Sequence, residues 1–511
     1  MDSRAEKLWQ RGMLHFRQGN TEAAQANFEA FLAREPNSGP GRFRLSMVLA
    51  RRGRHEAAVA LLEDMLRDDP EQLEPLVHLA RCQLACGRIE AARATVLRAL
   101  ALPRDSAVVL DALATVMTRL DEQAIALDLF DQAVAIDPAQ ASMYFNRALA
   151  RRQFGLAELA AQDLRTCLVL HPAHAKAHWM LSGLVAGHDP EHRDVLAARL
   201  DGALPANERE LTALALFRER DAAGARKEAW DALAQAMAAR PVRACDTPAR
   251  IVDMLVSACD ERFLRESAPT GKAGTGAAAF RPVFVFGMPQ SGVALLGSLL
   301  SRHARVQHLG HLPVFPRLLS QALGRDSQAP FRASELAAAA SLDMEALGRA
   351  FREATEPAGG KALLVCESRP INHQLAGFIA RALPGARMLH VRRDPRDACL
   401  SLLAQPGGDA VLPTHSPAAL ADACLQVDRL MRHWHAVLPG RMMDIDYESL
   451  VSKPDMVLRV ICSFLGIRYG ASLRMGLSLH ARSIGRAEAY SPWLHELEAG
   501  LAPLYRERAS A

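Results

Sequence analysis

The sequence lacks an excess charge of either sign, a long apolar run and any closely spaced cysteine motif. Its formal net charge is +4 over 511 residues, so bulk charge gives no argument for a nucleic-acid partner. No stretch of about 18 apolar residues occurs, which argues against a membrane span. The nine cysteines include no CxxC pair, a pattern that favours reduced core thiols over a disulfide framework. Because the first residues are charged rather than apolar, we expect no secretory signal and a cytoplasmic protein.

Prolines recur at a regular interval through the first third of the chain. Pro36, Pro70, Pro138 and Pro172 are separated by 34, by twice 34 and by 34 residues, and Pro103 falls one residue short of the missing position. This period is typical of tetratricopeptide (TPR) repeats, in which a proline closes each pair of helices and small residues lie where the helices touch. Small or aromatic residues occupy the corresponding positions of successive units: Gly12, Ala24, Phe28, Ala58, Ala80, Ala92, Ala114, Ala126, Phe130, Ala133, Ala148 and Ala160.

This pattern resembles the TPR family over residues 3–172, where we predict five repeats. A single helix pair cannot bury its apolar face alone, so stacking of neighbouring pairs is expected. The resemblance implies an all-α solenoid whose concave face binds a protein or peptide. The alternative is that the array is only a scaffold or a dimerisation surface.

The stretch that follows the repeats keeps helical patterns and then loses them. Residues 173–265 predict degenerate helical repeats that cap the array, and residues 266–280 are small and glycine-rich, which predicts a linker. The side chains of His171, His174 and His178 could share a helix face. No cysteine or carboxylate completes a metal-ligand set with them, so we predict surface histidines and no metal.

After the linker, a short apolar run at 282–286 predicts a strand that leads into a glycine-bounded loop and then a helix. Gly287 and Gly292 have the GxxxxG spacing of a phosphate-binding loop, whose backbone N–H groups and helix start attract an anion. A nucleotide triphosphatase needs Lys followed by Ser or Thr after the second glycine. Val293 and Ala294 stand there, so an ATPase or a kinase is disfavoured.

The loop resembles the 5′-phosphosulfate loop of sulfotransferases, which commonly has the sequence G-x-P-R-S-G-T-T. The resemblance implies 3′-phosphoadenosine 5′-phosphosulfate (PAPS) as co-substrate. Gln290 stands where the family has Arg, and Val293 and Ala294 stand where it has Thr, so one cation and two hydroxyls are lost. The implied PAPS ligands in this loop are Gly287, Pro289, Gln290, Ser291, Gly292, Val293 and Ala294.

A second stretch, PGARMLHVRRDPRDACLSLL, closely resembles bacterial TPR-linked sulfotransferases. In that family an Arg at the end of a buried strand and a Ser eight residues later bind the 3′-phosphate of PAPS. The resemblance implies this role for Arg393 and Ser401, and a guanidinium suits bidentate binding of phosphate. The alternative is a surface cluster in which basic residues pair with acidic neighbours, namely Arg392, Arg393 and Arg396 with Asp394 and Asp397.

Three further site residues are implied by the resemblance at looser spacing. His311 stands where related enzymes have a Glu in a short G-E segment, which implies a general base, since a neutral imidazole accepts protons near neutral pH. The alternative is a histidine that only lines the cleft. Arg369 lies one position beyond a family Lys and could replace the cation that the loop lost, and Arg486 could reach a phosphate.

Other segments extend the resemblance over residues 281–511. Tyr447-Glu448 begins a match to Y-E-x-L-x-x-x-P, and Phe464-Leu465-Gly466 matches F-L-G. The implied fold is an all-α TPR solenoid followed by an α/β, P-loop-like domain with a parallel sheet covered by helices on both faces.

Two functions stay open at the level of sequence. The first is transfer of a sulfuryl group from PAPS to a hydroxyl or phenol, with the TPR array binding a protein partner or substrate. The second is a catalytically impaired pseudo-sulfotransferase that acts as a TPR-based interaction module, which Gln290, Val293, Ala294 and His311 motivate. The motifs do not identify the sulfate acceptor.

Overall fold

The structure is a computed structural model that forms two compact units. It describes residues 3–185, 187, 189–242, 246–265, 280–310, 313–325, 330–356, 362–407, 412–473 and 483–509. The first unit covers Met1–Ala186, and the second covers Gly187–Arg325 with Ala329–Ala511. The predicted linker lies outside the described residues from 266 to 279. The domain boundaries drawn from the sequence remain predictions.

The first unit is a run of paired helices, as predicted. From α3 onwards, the first helix of each pair begins 34 residues after the one before it, at residues 39, 73, 107, 141 and 175. The helices are α1 Ser3–Arg17, α2 Thr21–Leu32, α3 Gly39–Arg51, α4 His55–Asp68, α5 Leu73–Ala85, α6 Ile89–Leu100, α7 Ala107–Arg119, α8 Gln123–Ile136, α9 Ala141–Gln153, α10 Ala157–Leu170 and α11 Ala175–Val185.

One alanine recurs at the same position in the second helix of each pair. Ala24, Ala58, Ala92, Ala126 and Ala160 are 34 residues apart, and each is fully buried. A larger side chain at this position would separate the two helices of the pair, because close-packed cores leave no spare volume. The small residues of the repeat pattern therefore set the distance between helices.

The turn inside each pair also repeats. Gly19, Gly53, Gly87 and Gly155 adopt φ between 75° and 80°, and the matching position of the fourth pair is Asp121 with φ 62°. This left-handed conformation turns the chain directly from the first helix into the second. Glycine adopts it without strain, whereas aspartate does so at some cost.

The second unit begins with helices and continues as an α/β fold. None of the helices in the described ranges is both long and apolar enough to cross a membrane. The helices are α12 Pro190–Asp201, α13 Ala206–Ala222, α14 Arg226–Ala238, α15 Pro248–Ala258, α16 Glu261–Arg265, α17 Val293–Ser301, α18 Val314–Ala322, α19 Ala333–Ala339, α20 Met344–Ala354, α21 Asn372–Ala382, α22 Pro395–Leu403, α23 Pro417–Val437, α24 Tyr447–Ser452, α25 Pro454–Leu465 and α26 His495–Ala509, with 3-10 turns at Ala471–Leu473 and Arg486–Trp493.

The described strands form one parallel sheet in the order β2-β3-β1-β4-β5. They are β1 Arg281–Gly287, β2 Val306–His308, β3 Leu364–Ser368, β4 Arg387–Arg392 and β5 Met442–Asp446. Phe284 and Phe286 pack on one face with α21 and α23, whereas Val283 and Val285 pack on the other with α17 and α25. This arrangement confirms the predicted α/β class, and it brings the carboxyl ends of β3, β1 and β4 side by side at one edge.

A buried guanidinium joins the helical start of the second unit to its α/β part. Arg240, just after α14, donates to the carboxylate of Glu210 on α13 at 2.8 Å. It also donates to the carbonyl oxygen of Leu403, the last residue of α22, at 2.8 Å and to that of Thr414, between α22 and α23, at 2.6 Å. The N–H of Gly407, just after α22, donates to the same carboxylate at 2.6 Å. These contacts join α13 and α14 to the α/β part of the second unit.

We expect Asp121→Gly to raise the free energy of unfolding of the first unit by about 0.5–1 kcal/mol, because it removes a Cβ from the left-handed region. The measurement is urea unfolding of the full chain followed by helix circular dichroism. Asp137→Gly is the matched control. Asp137 has φ −132°, so glycine there relieves no strain and only raises the conformational entropy of the unfolded chain. If both variants lose the same stability, the turn at Asp121 is not strained.

Candidate functional site

The loop from β1 to α17 is wrapped so closely that glycine is required at both ends. A Cβ on Gly287 would collide with the carbonyl oxygen of Val391 on β4. Gly292 has φ 104°, and a Cβ there would collide with the ring of Tyr447. Between them Gln290 adopts φ 67°, which is uncommon for a residue other than glycine. The predicted loop glycines therefore hold the backbone against β4 and α24.

The same loop presents unpaired donors. The first N–H groups of α17, as of any α-helix, have no intrahelical partner, and its N-cap residue Gly292 has no side chain that could accept from them. The hydroxyl of Ser291 is buried and has no hydrogen-bond partner among the described residues. Free N–H groups at a helix start together with an orphaned hydroxyl suit an anionic oxygen. The residues present thus fit the phosphosulfate end of PAPS.

Arg393 lies beside this loop and bridges two distant segments. Its guanidinium donates to the carbonyl oxygen of Gln290 at 2.8 Å and to that of Ser483 at 2.7 Å. The guanidinium carbon is 4.9 Å from the ring centroid of Tyr447, and its Nε is buried without a partner in the described part of the chain. No described carboxylate forms an ion pair with Arg393, so its positive charge is available to an anion at the ends of β1 and β4.

The alternative of a self-neutralised surface cluster holds for the neighbours of Arg393 only. Arg396 pairs with Asp394 at 3.1 Å, and Arg392 pairs with Asp444 at 3.1 Å. Asp397 is buried and accepts hydrogen bonds from backbone N–H groups near residue 486. Of the three arginines in this segment, the one that the resemblance singled out is thus the one without an acidic partner among the described residues.

Three residues that were not predicted as ligands complete the surroundings of Arg393. The Tyr447 hydroxyl lies 3.0 Å from the hydroxyl of Ser483, and the Glu448 carboxylate accepts from the N–H of Asp394 at 2.9 Å. The Tyr-Glu pair was visible in the sequence as part of a family motif, but its role in supporting the loop was not. Ser483 carried no sequence signal.

The remaining predicted ligands lie in three other segments of the second unit. Ser401 lies in α22 and is partly buried. Arg369 follows β3, and its N–H donates to the carbonyl of Val285 on β1 at 2.9 Å. Arg486 donates to Asp221 on α13 at 2.6 Å, and its guanidinium lies 5.4 Å from the Phe217 ring. A phosphate contact by any of these three residues stays a prediction.

The predicted general base, His311, lies outside the described residues.

His308, at the end of β2, forms a hydrogen-bonded pair with Ser368. The N–H of Gly310 donates to Nδ1 of His308 at 3.2 Å, so in the neutral ring Nε2 carries the proton. Nε2 lies 2.7 Å from the hydroxyl of Ser368, to which it then donates. A Cβ on Gly297 would lie 2.5 Å from that hydroxyl, so α17 packs tightly on this histidine–serine pair.

Glu367 on β3 is a buried carboxyl group below the same edge of the sheet. It accepts from the N–H of Phe315 and from the side-chain amide of Asn372, both at 3.0 Å. Burial raises the pKa of Glu367 from 4.5 to about 7, and the two hydrogen bonds oppose this shift only in part. The residue has no solvent access, so it supports α18 and α21 rather than a reactant.

A small cavity of about 60 Å³ adjoins the loop on the α23 side of the sheet. Ser291, His390 and Arg393 line its polar part, and Val427 and Leu504 line its apolar part. Ser291 and Arg393 therefore both border this cavity. Such a mixture of apolar walls with a few polar groups is typical of ligand sites.

Comparison with known families agrees with this architecture. Residues 282–470 match the model of a sulfotransferase family. Residues 10–72 and 49–116 match two tetratricopeptide-repeat models. The chain therefore carries N-terminal TPR repeats and a sulfotransferase-family domain, as the resemblance predicted.

Curated relatives match part of the chain at low identity. Protein-tyrosine sulfotransferase 2 of Gallus gallus is 24% identical over 200 residues, which is 37% of this chain and 51% of the relative. Protein-tyrosine sulfotransferase of Drosophila melanogaster is 23% identical over 193 residues, 36% of this chain and 38% of the relative. An uncharacterized protein of Aquifex aeolicus is 25% identical over 210 residues, 37% of this chain and 26% of the relative. The chain thus spans about a quarter to about half of the length of these relatives.

Solved structures match part of the chain. MamA has 20% identity and a TM-score of 0.27 and covers 34% of this chain and 96% of its own. PilW, a type IV pilus biogenesis factor, has 23% identity and a TM-score of 0.33 and covers 38% of this chain and 90% of its own.

We expect the stability of the second unit to fall as pH rises from 4.5 to the raised pKa of Glu367, about 7. Between pH 4.5 and about 7 the folded carboxyl holds a proton that the unfolded one has released, so folding weakens across this window. Glu367→Gln stays neutral and should gain up to about 3 kcal/mol relative to the wild type between pH 5 and pH 8. Thermal unfolding at these two pH values measures the difference.

Glu353→Gln is the control for this measurement, because Glu353 is exposed on α20. It should follow the wild type at both pH values. A Glu367→Gln variant whose difference from the wild type does not change with pH would show that Glu367 is ionised in the folded protein.

Proposed function

We propose that the second unit transfers a sulfuryl group from PAPS to a hydroxyl or phenol of an acceptor, and that the TPR repeats bind the acceptor protein or a partner. The observation that carries the proposal is Arg393. It follows β4 directly and donates to the carbonyl oxygen of Gln290, the residue before Ser291 with its orphaned hydroxyl, and no described carboxylate neutralises it. A cation held by two carbonyl oxygens is oriented for phosphate without being neutralised.

The loop before α17 and the segment after β4 would bind different parts of PAPS. The N–H groups at the start of α17 and the Ser291 hydroxyl would hold the phosphosulfate end, where the helix dipole favours negative charge. Arg393 and Ser401 would hold the 3′-phosphate. PAPS supplies the activated sulfuryl group, and the chain stabilises the charge that grows on the departing phosphate.

The loop carries less positive charge than the family pattern, and this bears on turnover. Gln290, Val293 and Ala294 offer one neutral amide and two apolar groups in place of a cation and two hydroxyls. We propose that Arg369, whose backbone is bonded to β1 through Val285, supplies the missing cation. Its guanidinium would then act across the ends of β3 and β1.

A base must take the proton of the acceptor hydroxyl, and His311 is the proposed group. Nearby candidates are less suited to this task. His308 is engaged by Gly310 and Ser368, and Glu367 is buried away from solvent. Two of the relatives are protein-tyrosine sulfotransferases, and the side chain of tyrosine is a phenol. We therefore propose a phenol as the first acceptor to test.

The second candidate is a catalytically impaired domain that leaves the TPR repeats as the working part. The three loop substitutions favour it, because charge-assisted hydrogen bonds are about twice as strong as neutral ones. TPR repeats imply a capacity to bind protein. In the first unit, first helices of successive pairs contact one another and bring together Phe43 with His78 and Asp111 with Asn146. We propose this row of first helices as the binding face.

We expect calorimetry to show binding of adenosine 3′,5′-bisphosphate to the full chain, and Arg393→Ala to weaken it by about 10- to 100-fold, because a charged bidentate contact is lost. Arg396→Ala is the matched control, since that guanidinium is already paired with Asp394. Equal effects of both variants would place the nucleotide elsewhere. No binding by the wild type at millimolar nucleotide would favour the impaired domain.

We further expect Gln290→Arg to tighten binding of the same nucleotide or of PAPS, because it restores a cation to the loop without a change of backbone conformation. Gln290→Leu serves as the control, since it keeps a side chain at φ 67° and adds no charge. Calorimetry and a sulfuryl-transfer assay with a tyrosine peptide measure both variants. A Gln290→Arg variant that binds no tighter than Gln290→Leu would show that residue 290 does not face the phosphosulfate.

A further inference from the structure

Two imidazoles and a carboxylate converge on one point at the edge of the sheet next to the candidate site. Nδ1 of His390 lies 2.8 Å from Oδ1 of Asp444, and Nε2 of His435 lies 2.9 Å from the same oxygen. One ligand atom from each residue lies within 4.8 Å of the others. No other group of three His, Cys, Asp or Glu side chains in the described part of the chain has this geometry.

The fold itself brings the three residues together. His390 on β4 and Asp444 on β5 are register partners in the parallel sheet, so their side chains leave the same face. His435 lies in the last turn of α23, which leads into β5. Three separate elements therefore supply the donors, and two of them are fixed by strand hydrogen bonds.

We propose that His390, His435 and Asp444 bind a divalent transition metal of the zinc type. Metal–nitrogen and metal–oxygen bonds of 2.0–2.2 Å in tetrahedral geometry place ligand atoms about 3.4 Å apart. The two observed nitrogen–oxygen distances are slightly shorter than this, so small side-chain rotations would admit the ion. Two imidazoles with one carboxylate suit Zn²⁺, Ni²⁺ or Cu²⁺ and do not suit Mg²⁺ or Ca²⁺, which prefer oxygen ligands.

The partial exposure of the site leaves room for a fourth ligand. His390 is buried, whereas the side chains of His435 and Asp444 are 40% and 31% exposed. A water molecule or a group from solvent could therefore reach the ion beside Asp444. Three protein ligands with one open position are typical of zinc sites that exchange ligands rather than of closed structural sites.

One neighbouring charge opposes the metal, and it makes the proposal testable. Arg392 donates to Oδ2 of Asp444 at 3.1 Å, so a divalent ion at Oδ1 would lie near its guanidinium. The Arg392 side chain is 41% exposed and can turn into solvent when the ion binds. Removal of this cation should then strengthen metal binding, whereas the loss of a ligand should weaken it.

The other side chains that could bind a metal ion are buried or already hydrogen-bonded. The eight cysteines that the structure describes are free and buried. Among the histidines noted in the sequence, His174 accepts from the N–H of Ala177 through Nδ1, and His178 contacts the carbonyl of Pro172. A measured site of one ion per chain is thus expected at His390, His435 and Asp444.

The test uses the full chain after removal of metals with a chelator. Calorimetry with Zn²⁺ should give one ion per chain, and Co²⁺ as a probe should give the visible absorption of a four-coordinate ion. His435→Ala should weaken Zn²⁺ binding at least tenfold, and this exposed helix position allows the variant to fold. Arg392→Gln should tighten it about tenfold, because a nearby like charge is removed.

His495→Ala is the control, since His495 is exposed at the start of α26. It should bind Zn²⁺ as the wild type does, and Mg²⁺ should not displace Co²⁺ from any variant. Unchanged Zn²⁺ binding by His435→Ala, or weaker binding by Arg392→Gln, overturns the proposal. No binding by the wild type also overturns it and leaves the three side chains as a hydrogen-bonded cluster.

Discussion

The guanidinium of Arg393 is the contact on which the geometry of the site depends. It joins the carbonyl oxygen of Gln290, in the loop after β1, to that of Ser483, which follows much later in the chain. The ring of Tyr447 lies against both Arg393 and Gly292, so the loop, the end of β4 and α24 are fixed together. The contact with Gln290 lies in the loop after β1, so the guanidinium is already oriented before an anion binds at this end of the sheet.

The two units obtain their order from different physical sources. In the first unit each helix packs on neighbours within about one repeat, so a local spacing of small residues determines the structure. In the second unit the contacts that matter join distant segments, as between Arg240 and Thr414 or between Arg486 and Asp221. Long-range contacts of this kind leave no periodic trace in the sequence.

This difference explains what could be predicted from the sequence. The 34-residue period gave the helix pairs, and a strand followed by a glycine-bounded loop and a helix gave β1 and α17. The sequence could suggest that Arg393 differs from its neighbours only through family resemblance. In the structure, Arg393 differs because Arg396 forms the ion pair with Asp394 and Arg392 forms the ion pair with Asp444. These pairings depend on side-chain geometry.

The side-chain contacts that could not be predicted depend on the order of the strands in the sheet. His390 meets Asp444 because β4 and β5 are neighbours in register, and nothing in the spacing of the two residues indicates it. Tyr447 lies near the loop because α24 follows β5 directly, and Ser483, which comes much later in the chain, contacts the Tyr447 hydroxyl. A search for ligand spacing within one segment therefore misses both groups.

The loop substitutions can be understood from the same geometry. Gln290 contacts Arg393 through its main-chain oxygen, and the left-handed conformation that presents this oxygen belongs to the backbone. The helix donors after Gly292 are likewise main-chain N–H groups. Side chains at residues 290, 293 and 294 can therefore change while the shape of the loop is kept. Such changes remove charge and hydroxyls from the site but leave the scaffold intact, so affinity for the nucleotide, rather than the fold, is the property on which the two proposed functions differ.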